Sequence, residues 1–390
     1  MRIPNIPLIF RAIGRSVSRP SANFSLQQNL EAAYQWLCAA QDVSADDGVA
    51  GWYSLIKGWS ASYPESTGYI IPTFLAYAKA AGNAEAKQRA LRMADWEVEV
   101  QLPDGAARSG VLSTRVGPSV FNTGQVLFGL TAAYCETGGD HYARSAQKAA
   151  EWLVREQDDD GAWRKNLSLL TTTKVQTYNV RAAWGLAIAG HVFDNHAWLR
   201  AAAKNCDWAL TQQNAVGWFA NNSFYENEVP LLHTIAYTLE GLLGAGEILG
   251  QERFVDAALQ GIEPLVNIYQ KTHRLHGRYD GAWRNPVRWR CLTGEAQISL
   301  ILGRISKYRS KDDAFVQVGK ALITDVGMTQ DMVGPLRENR GAIAGSEPIW
   351  GGYCPLAYVN WAAKFYLDAL ILSLFGTDVQ PTVLRTGNGY

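Results

Sequence analysis

Polar and apolar positions define two kinds of helical stretch along most of the chain. One kind is Ala-rich with a charged side, which is typical of a half-solvated helix. The other is apolar nearly all round and predicts a buried helix. Half-solvated helices are predicted at 27–41, 84–101, 141–157, 195–213, 252–270 and 311–329. Buried helices are predicted at 67–82, 120–137, 176–192, 231–248, 291–307 and 355–373.

The half-solvated helices end in a recurring Trp-x4-Gln pair. The pair occurs at Trp36 and Gln41, Trp96 and Gln101, Trp152 and Gln157, and Trp208 and Gln213, in steps of 60, 56 and 56 residues. A fifth copy, Leu265 and Gln270, keeps the frame without the Trp. A Gly/Asp turn that often ends in Trp follows, as in QDDDGAW at 157–163. A repeat of this length indicates tandem helical hairpins.

Six hairpins arranged as an open superhelix need polar caps at both ends. The last predicted helix, 355–373, is among the most apolar, so a closed ring accounts for the pattern better. The sequence therefore predicts an all-α (α/α)6 toroid, with an inner ring of buried helices and an outer ring of half-solvated ones. We expect one toroid domain over 26–375, a basic flexible tail over 1–25 and a polar tail over 376–390.

The hairpins and their Gln…Gly-x-Trp turns resemble the α/α-toroid superfamily of enzymes. That group includes six-hairpin glycosidases, toroid polysaccharide lyases, uronyl epimerases and terpenoid cyclases. The resemblance spans about residues 27–375 and is architectural, so it implies the fold and leaves the reaction open. The turns are similar to the repeats of squalene-type cyclases. The alkene-protonating D-x-D-D motif of those cyclases does not occur here, which disfavours that branch.

Composition excludes some partners. Lys and Arg total 36 and balance 36 Asp and Glu, which argues against a nucleic-acid partner. Five scattered Cys fit a reducing compartment, so we expect a cytoplasmic protein. No metal motif is present, and no metal or cofactor is expected. No transmembrane segment is expected; the basic tail has a second interpretation as a weak interfacial anchor. Oligomeric state stays open.

The starts of the buried helices converge at the mouth of such a ring, where polar groups in otherwise apolar helices point to a site. As catalytic candidates we select Glu65, Tyr178, His233, Tyr237 and Glu295. His233 and Tyr237 are four residues apart, which aligns a base and an acid on one face. Substrate-binding candidates at the same starts are Asn122, Asn179, Arg181, Tyr358, Asn360 and Trp361.

The segment 271–290 concentrates positive charge in an otherwise neutral chain. It contains six Lys or Arg residues against the single acid Asp280. Guanidinium groups suit carboxylates, and the segment leads into the helix that carries Glu295. We therefore add Trp283, Arg284, Arg288 and Arg290 as candidates for binding an anionic substrate, with a solvated, salt-bridged loop as the alternative.

These candidates favour an enzyme that acts on an acidic, uronate-type glycan by lyase or C5-epimerase chemistry. Such chemistry needs a group that neutralises the sugar carboxylate, a base and an acid. One alternative is a glycoside hydrolase that uses Glu65 and Glu295 as its two carboxylates. Another is a glycan-binding or scaffold protein of polysaccharide assembly without turnover. Convergence of Glu65, Tyr178, Arg181, His233 and Glu295 on one cavity would favour catalysis.

Overall fold

The protein is almost entirely helical in a computed structural model that describes residues 6–17, 24–113, 117–168, 171–306, 310, 313–334 and 336–379. The helices are α1 (Ile6–Val17), α2 (Leu26–Asp42), α3 (Pro64–Ala81), α4 (Ala84–Val100), α5 (Val120–Thr137), α6 (Asp140–Arg155), α7 (Val180–Val192), α8 (His196–Leu210), α9 (Leu232–Leu249), α10 (Glu252–Thr272), α11 (Leu292–Ile305), α12 (Ala314–Gly327) and α13 (Asn360–Phe375). All twelve predicted helices are present, with most ends shifted by three residues or fewer.

Two concentric rings form the fold. Helices α3, α5, α7, α9, α11 and α13 pack in sequence, and α13 returns to α3 to close the inner ring. Each inner helix from α3 to α11 packs against the outer helix that follows it, whereas α13 packs against α2. The first and last toroid helices therefore form the sixth hairpin together. The (α/α)6 prediction is confirmed, and closure buries the apolar last helix that an open superhelix would expose.

The repeated Gln residues hold the outer ring together. Each side-chain amide donates to one backbone carbonyl in its own turn and one in the next outer helix, at 2.8–3.4 Å. The acceptors are Asp47 and Arg89 for Gln41, Gly105 and Ser145 for Gln101, Gly161 and Ala201 for Gln157, and Gly217 and Ala257 for Gln213. Gln270 is exposed, but Gln330 bonds the same way to Gly341 and to Asn29 of α2. These bonds tie each turn to the following outer helix.

Glycines near the starts of the inner helices allow close packing within the inner ring. A Cβ on Gly68 would lie 2.6 Å from the Cα of Val126, and one on Gly124 would lie 2.4 Å from the Cα of Ala182. Both distances are far below van der Waals contact, so any side chain there would push neighbouring helices apart. This spacing narrows the ring and brings the first turns of the inner helices close enough to form a common cavity.

Long connections run from each outer helix to the next inner helix and carry five short strands that the sequence did not predict. These are β1 (Trp52–Ser54), β2 (Gly58–Trp59), β3 (Arg290–Cys291), β4 (Ser346–Glu347) and β5 (Ala357–Val359). They form antiparallel sheets in the orders β2-β1-β5 and β3-β4, with Tyr53 paired to both Trp59 and Tyr358. Because β5 occupies 357–359, the last helix begins at Asn360 rather than at the predicted 355.

The flexible-tail prediction is wrong for Ile6–Val17, which forms α1. Leu8 and Ala12 lie one helical turn apart and are buried against the toroid. Arg15 donates to the carbonyl of Gln330 at 2.8 Å and lies 3.5 Å from Asp331. Residues 1–5, 18–23 and 380–390 of the predicted tails lie outside the described residues. No helix among the described residues is long and apolar enough to span a bilayer.

Candidate active site

A cavity of about 750 Å³ opens where the inner helices begin. Its walls are mainly aromatic, and among its described lining residues only Lys57, Glu65 and Arg278 carry full charges. The aromatic lining residues are Trp52, Tyr63, Phe121, Tyr178, Phe224, Tyr225, Tyr237, Tyr353 and Trp361. A concave, largely apolar site with a few convergent polar groups is the usual form of a small-molecule pocket. The volume is within the range that holds an organic ligand.

Glu65 is the sole carboxylate among the described lining residues of this cavity. Pro64 occupies the first position of α3, where its missing N–H costs nothing, and Glu65 follows it in the first turn. The hydroxyl of Tyr63 donates to the Glu65 carboxylate. Burial raises the pKa of Glu65 to about 7, although the Tyr63 hydrogen bond and the Arg181 charge act in the opposite direction. Glu65 is therefore poised to exchange a proton near neutral pH.

His233 and Tyr237 face the cavity from α9, one helical turn apart as predicted. Their ring centroids are 4.2 Å apart. Nδ1 of His233 lies 2.6 Å from Oε1 of Gln297, and an amide oxygen only accepts, so Nδ1 carries the proton and Nε2 keeps its lone pair. Burial lowers the pKa of His233 to about 3, so the imidazole is neutral at physiological pH. Burial, and then the charge of Glu65, raise the pKa of Tyr237 well above its usual value.

Tyr178 reaches the cavity from a 3-10 turn (Thr177–Asn179) that precedes α7. Its ring packs edge-on against Phe121 and Phe224, with centroids 5.2 Å and 5.6 Å away. Trp361, in the first turn of α13, completes the wall and packs edge-on against Trp52 and Tyr63. Five predicted residues therefore line one cavity: Glu65, Tyr178, His233, Tyr237 and Trp361.

Glu295 is not among the residues that line the cavity. It lies in the first turn of α11, fully buried, and both of its oxygens accept from Arg290. Arg290 also pairs with Glu347 of β4, which satisfies the guanidinium on two sides. These three residues form ion pairs with one another inside the protein, so Glu295 is not available as the second carboxylate of a hydrolase. By the same contacts, Arg290 is not available to a substrate.

Arg181 is fully buried and does not line the cavity. It pairs with Glu240 at 3.1 Å and donates to Gln125. Its guanidinium also lies 5.1–5.7 Å from five aromatic centroids, including those of Tyr237 and Phe365. Arg181 thus stabilises the inner ring as a paired, aromatic-enclosed cation. Its predicted role as a direct substrate ligand does not fit this position.

Other predicted ligands have partners within the protein. Asn122 donates to the carbonyl of Arg108 at 2.7 Å. Asn360 donates to Ala50 and Ser66, and the Tyr358 hydroxyl lies 3.4 Å from Asp331. Asn179 is buried with neither amide atom hydrogen-bonded to a described residue, yet it does not line the cavity. Asn122, Tyr358 and Asn360 therefore bind other parts of the protein, whereas the side chain of Asn179 has no hydrogen-bond partner among the described residues.

The basic segment 271–290 contributes one cation to the cavity, Arg278. Arg278 donates to the carbonyl of Val229 and lies 2.9 Å from Glu228, which fixes its guanidinium at the rim. The predicted ligands in this segment lie elsewhere: Trp283 donates to Val216, Arg284 is exposed and pairs with Asp280, and Arg288 is exposed. The solvated-loop alternative therefore describes most of the segment.

Sequence reasoning missed Lys57, Tyr63 and Phe121 as cavity residues. Lys57 lies in the turn between β1 and β2, and Tyr63 immediately precedes α3. For Tyr63, its proximity to Glu65 was an available signal. The sequence offered no signal for Lys57, because its hairpin is anchored by the pairing of β1 with the distant β5. Among the described residues, no cluster of His, Cys, Asp and Glu is arranged to hold a metal ion.

No family model matches this chain, and no curated protein does. Solved structures do match it. The match to an unsaturated glucuronyl hydrolase specific for heparin covers 91% of this chain and 99% of the hydrolase, with 16% sequence identity and a TM-score of 0.69. The unsaturated glucuronyl hydrolase of Bacillus sp. GL1, described as responsible for glycosaminoglycan degradation, covers 90% and 97%, with 14% identity and a TM-score of 0.71.

A cellobiose 2-epimerase from Bacillus thermoamylovorans also covers 90% of this chain and 98% of its own, with 12% identity and a TM-score of 0.69. The chain has the fold of the α/α-toroid, six-hairpin glycosidase-like enzymes. Near-complete coverage in both directions means that the whole toroid is shared. At these identities the similarity establishes the fold, whereas the reaction must be argued from the site.

Proposed function

We propose that this protein is an enzyme that acts on an acidic glycan, with Glu65 as its acid–base group. The observation that carries the proposal is the position of Glu65 as the one carboxylate among the described cavity lining, with a pKa of about 7. A group with that pKa holds both protonation states in quantity at neutral pH, as an acid–base catalyst needs. Structural neighbours that include glucuronyl hydrolases and sugar epimerases support a carbohydrate substrate.

The cavity walls suit a sugar ring. Aromatic side chains present flat apolar faces that fit the C–H faces of pyranose rings, and phenol hydroxyls at their edges bind sugar hydroxyls. Tyr63, Tyr178, Tyr237 and Tyr353 supply such hydroxyls around Glu65. Lys57 and Arg278 are the cations among the described lining residues of the same cavity. Lys57 forms no ion pair with a described residue and can neutralise a uronate carboxylate, whereas Arg278 is already paired with Glu228.

Neutralising that carboxylate acidifies the C5 proton of a uronosyl ring. Ionised Glu65 removes this proton, and the positive charge at the rim stabilises the extra negative charge that develops on the carboxylate oxygens of the enolate-type intermediate. Elimination then needs an acid at the leaving oxygen, whereas epimerisation needs a proton donor on the opposite ring face. Tyr178 and Tyr237 provide hydroxyl donors, and neutral His233 is a hydrogen-bond acceptor rather than a proton donor. Two-carboxylate hydrolysis lacks its second group, because Glu295 is paired with Arg290.

The test is a product assay in D₂O with uronate-containing and neutral glycans. An unsaturated uronate, seen by absorbance and NMR, or deuterium at C5 without cleavage, is expected from the uronate glycans alone. Glu65→Gln should lower kcat by roughly 10²–10⁴-fold, the usual contribution of a general acid–base group. Glu226→Gln is the matched control, because Glu226 is an exposed carboxylate close to the mouth that does not line the cavity.

The pH profile adds a second readout. Because the ionised form of Glu65 is the base, kcat/KM should rise with pH through about 7. New reducing ends without unsaturation or deuterium would replace this proposal with hydrolysis. Full activity of Glu65→Gln would remove Glu65 from the chemistry. Tight glycan binding without any product would establish a binding protein instead.

A further inference from the structure

Exposed apolar side chains concentrate on one part of the surface, around α1. Twelve large hydrophobic residues are more than about a third exposed among the described residues, and half of them lie on α1 or on the connection between α12 and α13. We call these six the α1 patch: Ile6, Phe10, Met328, Val333, Leu336 and Trp350. Exposed apolar side chains that cluster on neighbouring segments mark a candidate binding surface.

Helix α1 carries apolar side chains both towards the toroid and towards solvent. Leu8 and Ala12 pack inward, which accounts for why the helix lies on the toroid. On the outward side, Ile6 is 55% exposed and Phe10 is 71% exposed. A helix that only packs on its own protein turns polar residues outward. The toroid leaves the outward apolar side chains of α1 uncovered.

The α1 patch lies at the same end of the toroid as the cavity. The 328–359 connection joins the end of α12 to the start of α13, so it runs at the end where inner helices begin. Its residues Gly352 and Tyr353 line the cavity. Helix α1 is fastened to this connection, because Arg11 donates to the carbonyl of Val333 and Ser16 accepts from the N–H of Ile349.

Arginines outnumber acids in the segments that form the patch, although Arg337 pairs with the exposed Asp42 of α2. Residues 6–17 and the described part of 328–340 contain four arginines (Arg11, Arg15, Arg337 and Arg340) and two acids. Of those acids, Asp331 is buried beside Arg11 and Arg15, and Glu338 is half-buried. No acid in these described segments is exposed. Arg340 is exposed and forms no ion pair with a described residue, so its charge is directed to solvent.

We propose that the α1 patch binds the surface of an anionic lipid bilayer. Exposed aromatic and aliphatic side chains beside arginines suit the boundary between acyl chains and headgroups, where the ring enters the apolar layer and the cation meets phosphate. A negatively charged membrane surface complements a rim where the exposed Arg340 forms no ion pair with a described residue and the acids of 6–17 and 328–340 are buried or half-buried. The location turns the open end of the cavity towards the lipid headgroups.

Flotation of the full-length protein with vesicles tests this directly. We expect binding to vesicles that contain phosphatidylglycerol, weaker binding to phosphatidylcholine alone, and loss of the difference at high salt. The double variant Ile6→Ser/Phe10→Ser should weaken binding roughly tenfold or more, because it removes the two most exposed apolar side chains of α1. Arg340→Gln should weaken binding to anionic vesicles alone, by roughly fivefold.

The matched control is Leu374→Ser/Phe375→Ser. Like Ile6 and Phe10, these residues are one aliphatic and one aromatic exposed side chain, and they lie in the last turn of α13, at the opposite end of the toroid. The control should bind as the unaltered protein does. Val333→Ser repeats the test from the loop side if the α1 variant fails to fold. Failure of the unaltered protein to bind anionic vesicles, or equal loss in the control pair, would overturn the proposal.

Discussion

Replacing Glu65 by Gln should make the protein less sensitive to alkaline pH, and this holds whatever the substrate is. Burial raises the pKa of this carboxyl from about 4.5 to about 7 in the folded state. The folded protein therefore holds the proton more tightly than the unfolded chain does. Glu65 favours folding most below its unfolded pKa of about 4.5, and that contribution disappears as pH rises through about 7.

The magnitude follows from the size of the shift. One pKa unit corresponds to about 1.4 kcal/mol, so the stability of the unaltered protein relative to Glu65→Gln should fall by about 3 kcal/mol between pH 4 and pH 8. For 390 residues the entropy of unfolding is about 0.8 kcal/mol/K, so this change corresponds to a relative Tm shift of about 4 °C. A glutamine amide keeps the size of the side chain and still accepts a hydrogen bond from Tyr63.

The assay is thermal unfolding of both proteins across this pH range, with Glu226→Gln as a control. Glu226 is exposed, so its substitution should leave the pH dependence of Tm unchanged. Only the difference between the Glu65 variant and the unaltered protein is interpreted, which cancels the titration of all other groups. A difference that stays constant from pH 4 to pH 8 would refute a raised pKa at Glu65 and, with it, the acid–base role.

Two further substitutions test the packing that supports the site. Arg181→Met leaves Glu240 buried without its cation and should lower the free energy of unfolding by about 3–5 kcal/mol. The double variant Arg181→Met/Glu240→Leu should recover most of this loss. An unchanged denaturation midpoint for the single variant would contradict the pairing. Gly124→Ala places a Cβ 2.4 Å from the Cα of Ala182 and should cost about 1–3 kcal/mol. Gly14→Ala, where a Cβ meets nothing within 4 Å, should change the same midpoint little or raise it.

The inner and outer rings were predictable because helix type depends on local pattern. Apolar residues all round a stretch can be satisfied only by complete burial, and one charged side requires solvent. The Trp-x4-Gln repeat added the hairpin count, and the closed ring follows from an apolar last helix that must be covered. The sequence also identified the first turns of the inner helices as polar. Five of the residues selected there line one cavity, among them Glu65 and His233.

Pattern does not reveal which buried polar residue faces the cavity and which faces a neighbour. Glu65 and Glu295 both occupy the first turn of an inner helix, and the helical pattern alone does not distinguish them. The difference is the partner. At Glu65 burial outweighs the hydrogen bond from Tyr63 and raises the pKa to about 7, whereas Arg290 binds Glu295 in an ion pair. Arg181 was also selected as a polar residue near the start of an inner helix, but it is buried within the inner ring and paired with Glu240.

The sequence by itself determined the helices, their two environments and the polar load at one end of the ring, since each depends on residues a few positions apart. Tertiary structure decided the site. Contacts between residues hundreds of positions apart, such as β1 with β5 and α13 with α2, closed the ring and brought Lys57 to its mouth. They also ordered α1, whose buried face is too small to hold a helix without the toroid beneath it. The ionisation of a buried carboxyl depends on its burial and on the charges beside it, and both are set by the folded structure. Glu65 and Glu295 therefore acquire different properties only in the folded protein.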